Sequence, residues 1–198
     1  MPNWCTNNID ITGPASKINA IWATATAEDG GLLKAMVPMP AELIQTVKGS
    51  GDELQVEKYD GFTNWYDWAV ARWGTKWDVS PEGLEYTDNE DGTATISGYF
   101  ESAWAPPIEA YNTFVEENED CSLEASYHEP GMDYAGFYSD GDDEYCENLR
   151  EQYELPEEQQ SDLFKRLDEE YDLSEQFAEW DEENLNIDLD DGLSAINE

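Results

Sequence analysis

The chain has 198 residues, of which 47 are acidic, 9 basic and one a histidine, giving a formal net charge of −38. Affinity for phosphate comes from Lys and Arg, so this balance argues against direct binding to DNA, RNA or an anionic membrane. Aromatic residues make up 13% and hydrophobic residues 39%, well above a solvated acidic tail, so the chain is expected to bury a core.

In chain order, Trp4 to Thr12 alternates around Asn8-Ile9-Asp10-Ile11 and predicts a strand that stops at Gly13-Pro14. Ile18, Ile21 and Trp22 then fall at i, i+3 and i+4, predicting a helix from Ala15 to about Ala27, ended by Asp29-Gly30-Gly31. Residues 32–80 read as an insertion, with Leu32 to Val37 open to a strand and a helix near Asn64 to Trp73. Leu84 to Thr87 and Thr93 to Phe100 flank Asp88-Asn89-Glu90-Asp91-Gly92 and predict a hairpin. Pro106-Pro107 opens a second helix, with Ile108, Tyr111, Phe114 and Val115 on one face. Leu123 to Tyr127 and Tyr134 to Tyr138 predict two further strands. With the insertion left out, strand, helix, strand, strand, helix, strand is the split βαβ order of a ferredoxin-like α+β fold.

Charge density changes near Asp140-Gly141-Asp142-Asp143, where Gly among Asp residues predicts a turn. Residues 1–138 hold 24 acids and 6 bases, net −18; residues 139–198 hold 23 acids and 3 bases, net −20. The expected organisation is therefore a domain over 1–139 and an acidic helical extension over 140–198. In the extension Leu163, Phe164, Leu167 and Tyr171 share a face, and Leu173, Phe177 and Trp180 continue the apolar spacing. Amphipathic helices with such anchors are expected to pack onto something.

Several segments of the first part together carry a family resemblance. They are Met1-Pro2-Asn3-Trp4-Cys5-Thr6-Asn7 with Ile11-Thr12-Gly13, then Trp73-Gly74-Thr75-Lys76-Trp77-Asp78, Phe100-Glu101-Ser102-Ala103-Trp104-Ala105-Pro106-Pro107-Ile108, and Tyr127-His128-Glu129-Pro130-Gly131 with Tyr134-Ala135-Gly136-Phe137. Over about residues 1–138 the chain resembles the YubB-type ferredoxin-like family of bacteriophage and plasmid proteins. The resemblance implies the fold already read and a mobile-element origin. It brings no activity and no catalytic residues.

Candidate chemistry is sparse. Cys5, Cys121 and Cys146 are widely spaced, and with the single His128 they cannot assemble a zinc set, so they read as small hydrophobes. No cofactor is implied and no metal site is read, because both acidic Gly-containing loops fail the EF-hand spacing. Glu101 with Glu129 near His128 could serve acid–base chemistry, but with 47 acids such proximity carries no signal. No phosphate-binding loop, dinucleotide fingerprint or nucleophile elbow occurs, and the reading is a binding protein without enzymatic activity. No signal peptide or bilayer-length apolar run is visible, which places the expected site of action in the host cytoplasm.

The charge itself is the sharpest feature. Thirty-eight charges match roughly 65 Å of duplex at about 1.7 Å per charge. The expected function is capture of a basic, nucleic-acid-binding host protein by mimicry of nucleic acid. Glu169, Glu170, Glu175, Glu179, Glu182 and Glu183 are its expected contact residues. The alternative is a phage interaction module binding a non-basic protein through aromatics. Trp65, Trp68 and Trp73, from the dense stretch Tyr59 to Trp77, are the candidates for that role.

Overall fold

A computed structural model describes residues 3–48, 59 and 61–194, without side-chain detail beyond 184. Strand β1 (Trp4–Pro14) buries Cys5, Asn7, Ile9 and Ile11 on one face, as its alternation requires. Helix α1 (Ala15–Ala25) presents Ile18, Ile21 and Ala25 to the core, and its last carbonyls are met by Thr26, whose N–H and hydroxyl both donate to the Trp22 carbonyl.

Leu32 to Val37 is a helical turn, α2 (Leu32–Met36), rather than a strand. A six-residue stretch, apolar but for Lys34, carries no period that separates the two states. Here the Asp78 carboxylate decides, accepting from the backbone N–H groups of Leu33 (2.8 Å) and Lys34 and so supplying the turn's first partners. A second short turn, α3 (Ala41–Ile44), buries Leu43. In α4 (Trp65–Arg72) the Asn64 side chain caps the helix by accepting from the Asp67 N–H at 2.9 Å.

The hairpin forms β2 (Leu84–Asp88) and β3 (Thr93–Ala103), its turn carrying Gly92 at φ +92°. Helix α5 (Ile108–Glu117) leads to β4 (Ser122–Glu129), β5 (Tyr134–Ser139) and β6 (Asp142–Glu147). Strand order in the sheet is β2-β3-β1-β4-β5-β6, with β1 antiparallel to both β3 and β4, and β2 antiparallel to β3. The first four strands with α1 and α5 are the ferredoxin-like arrangement read from the sequence. Ile9, Ile11, Ile96, Phe100 and Leu123 from the sheet meet Ile18, Tyr111 and Phe114 from the helices in one core.

The acidic tract after Asp140 begins with a strand that the sequence reading missed. Asp140 (φ +46°) and Gly141 (φ +102°) form a two-residue hairpin turn of the kind that matches strand twist, so Asp142–Glu147 returns beside β5 instead of opening a helical extension. Two compact units result: Met1–Met132 with Gly136–Glu144, and Asp133–Ala135 with Tyr145–Glu198.

The second unit holds α6 (Leu149–Glu154), α7 (Asp162–Tyr171) and α8 (Leu173–Ser194). Ser161 caps α7 by accepting from the Phe164 N–H at 3.0 Å. The Asp168 carboxylate accepts from the N–H (2.6 Å) and hydroxyl (2.7 Å) of Ser174, tying the end of α7 to the start of α8. Arg150 joins α6 to α8: it pairs with Glu154 and Asp181, donates to the Phe177 carbonyl, and lies 5.3 Å from the ring centres of Phe177 and Trp180.

Candidate interaction site

Three of the motif segments meet at one end of the first unit's sheet. Antiparallel pairing sets Cys5 opposite Ser102, and Thr6 opposite both Glu101 and His128. The Asn7 amide donates to the Cys5 carbonyl (2.8 Å) and to the Ser102 hydroxyl (2.9 Å), and Ser102 donates on to the Ala105 carbonyl (2.7 Å). Thr75, from the fourth segment, donates to the Ala103 carbonyl at 2.8 Å. The Trp104 N–H donates to the Asn3 carbonyl at 2.9 Å. Gly131 passes so close to the Asn3 amide that a Cβ there would sit 2.3 Å from its nitrogen. The fully buried Glu129 carboxylate holds this turn by accepting from the N–H groups of Gly131 and Met132.

This polar cluster fixes backbone. Burial pushes the Cys5 thiol up to about 12, so it stays protonated and is a poor nucleophile. Glu101 and Glu129 stand on strands where neighbours alternate faces. Glu101 shares its face with Thr6 and His128, while Glu129, one residue after His128, faces the other way with its oxygens committed to the turn. The carboxylate pair considered from the sequence is therefore not assembled.

What the cluster supports is a set of exposed indoles. Trp4, Trp77 and Trp104 are 44%, 38% and 41% exposed. Trp4 and Trp77 lie 6.1 Å apart by ring centres, and Trp104 meets Tyr66 edge-on at 6.5 Å. The Lys76 ammonium sits among them, 4.2 Å from the Trp77 ring centre, 5.1 Å from Trp104 and 5.9 Å from Tyr66. Trp104 has φ +72°, a left-handed backbone that is rare for a bulky residue and costs about 1–2 kcal/mol. The flanking bonds from Thr75 and Ser102, with that of the Trp104 N–H itself, hold it there.

Of the aromatic contact candidates from the sequence, two belong to the interior. Trp68 and Trp73 are each 5% exposed and pack edge-to-face at 5.4 Å, and the Trp73 indole N–H donates to the Val37 carbonyl at 2.9 Å. Trp65 is half-buried against Tyr66. The exposed indoles of the first unit come instead from the ends of β1 and β3 and from the loop after α4. Strand parity carried a signal for one of them: Cys5 faces inward, so Trp4 faces out.

In the second unit Glu169, Glu170, Glu175, Glu179, Glu182 and Glu183 are all exposed, while Phe164, Leu167 and Leu173 on the same helices are buried. Glu175, Glu179, Glu182 and Glu183 stand at i, i+4, i+7 and i+8 and so share one side of α8. Among the described residues there is no cluster of three potential metal ligands and no helix long and apolar enough to cross a membrane.

No curated protein matches the sequence. Among solved structures, the crystal structure of Api92 from Yersinia pseudotuberculosis is similar at 12% identity and a TM-score of 0.42, covering 74% of this chain and 98% of that one. The family model described as the ferredoxin-like domain in Api92-like protein matches residues 82–184, from just before β2 into α8, and so takes in much of the acidic tract beyond the range of the sequence resemblance. With just over half of its length matched by that model, the chain belongs to the family of ferredoxin-like domains in Api92-like proteins.

Proposed function

We propose that this is a phage- or plasmid-type acidic binding protein that captures a basic, nucleic-acid-binding host protein in the host cytoplasm, its carboxylates standing where phosphates would. The observation that carries the reading is the exposure of all six glutamates on α7 and α8, helices anchored by the buried Phe164, Leu167 and Leu173. A stripe at four-residue spacing advances about 6 Å per charge, and Glu175 to Glu183 covers about 12 Å. The same length of duplex carries roughly seven charges, so a groove shaped for nucleic acid would engage the end of α7 as well as α8.

A second reading has its own support. The strained Trp104, which shares the Lys76 ammonium with Trp77 and meets Tyr66 edge-on, is a rigid aromatic anchor of the kind that dominates protein interfaces, and it would serve a non-basic partner without mimicry.

Pull-down from host lysate at about 50 mM and about 500 mM salt separates the two, because screening shortens the reach of exposed charges. Basic nucleic-acid-binding proteins recovered only at low salt are the expected result. A single salt-resistant partner, lost on Trp104→Ala, selects the aromatic reading instead. A gel shift with single-stranded oligonucleotides at about 150 mM salt is expected to be negative, since nine lysines and arginines stand against 47 acids.

A further inference from the structure

The first unit contains a cavity of about 410 Å³ walled by Trp65, Trp73 and Trp77, with Lys34 and Lys76 at its lining. Its size falls in the range of small-ligand sites, roughly 300–1,000 Å³, which are mostly apolar with a few polar groups to fix orientation. In a chain with 47 acids and 9 bases a lysine finds a carboxylate easily, and Lys17 and Lys48 pair with Asp120 and Asp67. Lys34 and Lys76 do otherwise. Lys34 donates to the Asp29 carbonyl at 2.7 Å, Lys76 lies over indole and phenol rings, and neither ammonium forms an ion pair among the described residues.

Two acids, Asp29 and Asp78, share the wall, and the Lys34 charge acts on the Asp78 carboxylate, but neither acid is ion-paired with Lys34 or Lys76. Asp78 is turned to backbone, accepting from the N–H groups of Leu33, Lys34 and Val79, and burial raises its carboxyl above the ordinary range. Asp29 is exposed, and its carbonyl, not its carboxylate, receives the Lys34 proton.

We propose that this cavity is a binding site for a small planar aromatic anion, the ring lying against Trp77 and Trp65 and the anionic group between Lys34 and Lys76. Indole faces bind flat rings, and two ammonium groups with no carboxylate at ion-pair distance among the described residues complement one negative charge. The site is independent of the acidic helices and of any basic protein they take.

Isothermal titration of the full chain with 1-naphthoate, 1-naphthylmethylammonium and inorganic phosphate tests it. One molecule of naphthoate is expected to bind, shifting the indole N–H resonance of Trp77, with the cation and phosphate at least tenfold weaker. Lys34→Met and Lys76→Met are each expected to weaken naphthoate about tenfold, in line with loss of one charge-assisted contact, while Lys76→Arg retains most of the affinity. Near-UV circular dichroism confirms that the variants keep the tryptophan environment. Three results overturn the proposal: no naphthoate binding up to about 1 mM, equal or tighter binding of the ammonium compound, or lysine variants that fold and bind as the parent does.

Discussion

At the scale of single residues the first unit spends unusual local chemistry on holding shape. Cys5 is fully buried and its thiol is pushed up to about 12, whereas an unfolded chain releases that proton near pH 9. The native state therefore binds more protons than the unfolded one between those values, so stability is expected to fall as pH rises from 9 toward 12. Cys5→Ala should flatten that slope in urea titrations at fixed pH. In native protein an aromatic disulfide reagent at about pH 8 is expected to reach Cys121 and Cys146, both half-buried, and to reach Cys5 only after denaturation. Trp104 poses a different question, since ring and backbone pull in opposite directions. Trp104→Ala loses the ring and keeps the left-handed strain, while Trp104→Gly loses both, so the glycine variant is expected to be the more stable by about 1 kcal/mol. Equal midpoints in urea would show that the backbone there is unstrained.

At the scale of elements, β6 carries the chain out of the first unit, which ends at Glu144 within that strand. Asp140 exchanges backbone contact with Leu123, whose N–H donates to the Asp140 carboxylate at 2.6 Å and whose carbonyl accepts the Asp140 N–H at 3.0 Å; the Ser122 hydroxyl adds a third bond at 3.1 Å. A chain ending at Ser139 loses all three and the strand that follows. It is expected to be less stable than one ending at Glu147 by about 2 kcal/mol, the order of a charged hydrogen bond to a backbone donor that is then left open. Thermal unfolding followed by near-UV signal compares the two, and identical midpoints would make β6 an ornament to the sheet. The expected boundary at 139/140 fell on this turn because Asp-Gly signals a reversal equally well between domains and within a hairpin. Alternation in Asp142-Asp143-Glu144-Tyr145 is masked by acids on both faces, which an exposed strand allows.

At the scale of the whole molecule, charge is the dominant variable. Changing Glu169, Glu170, Glu175, Glu179, Glu182 and Glu183 together to Gln removes six charges and keeps helix propensity. Association with a partner identified by pull-down is expected to slow, and the dependence of affinity on salt to become shallower, because steering by the field is reduced. The unfolding temperature should hold or rise as self-repulsion is relieved. An unchanged association rate would take these residues out of the interface and leave Trp4, Trp77 and Trp104 as its candidates.

The α+β class, the ferredoxin-like element order and the hairpin around Asp88–Gly92 were legible in sequence because periodicity and turn chemistry are local and each segment reports its own. The exposure of Glu169 and Glu170 was legible for the same reason, since the apolar stripe of α7 leaves the acids one side. Tertiary structure alone decided the rest. Whether Leu32–Met36 became a helix depended on Asp78, which lies more than forty residues away in sequence. Which tryptophans face outward depended on packing: Trp68 and Trp73 fill the core under α4, while the Lys76 ammonium lies over both Trp77 and Trp104 only because β3 and the loop after α4 end at the same place. A tryptophan is apolar enough to fill a core and amphipathic enough to stand at a surface, so its composition and spacing do not say which; the strands that converge on it do.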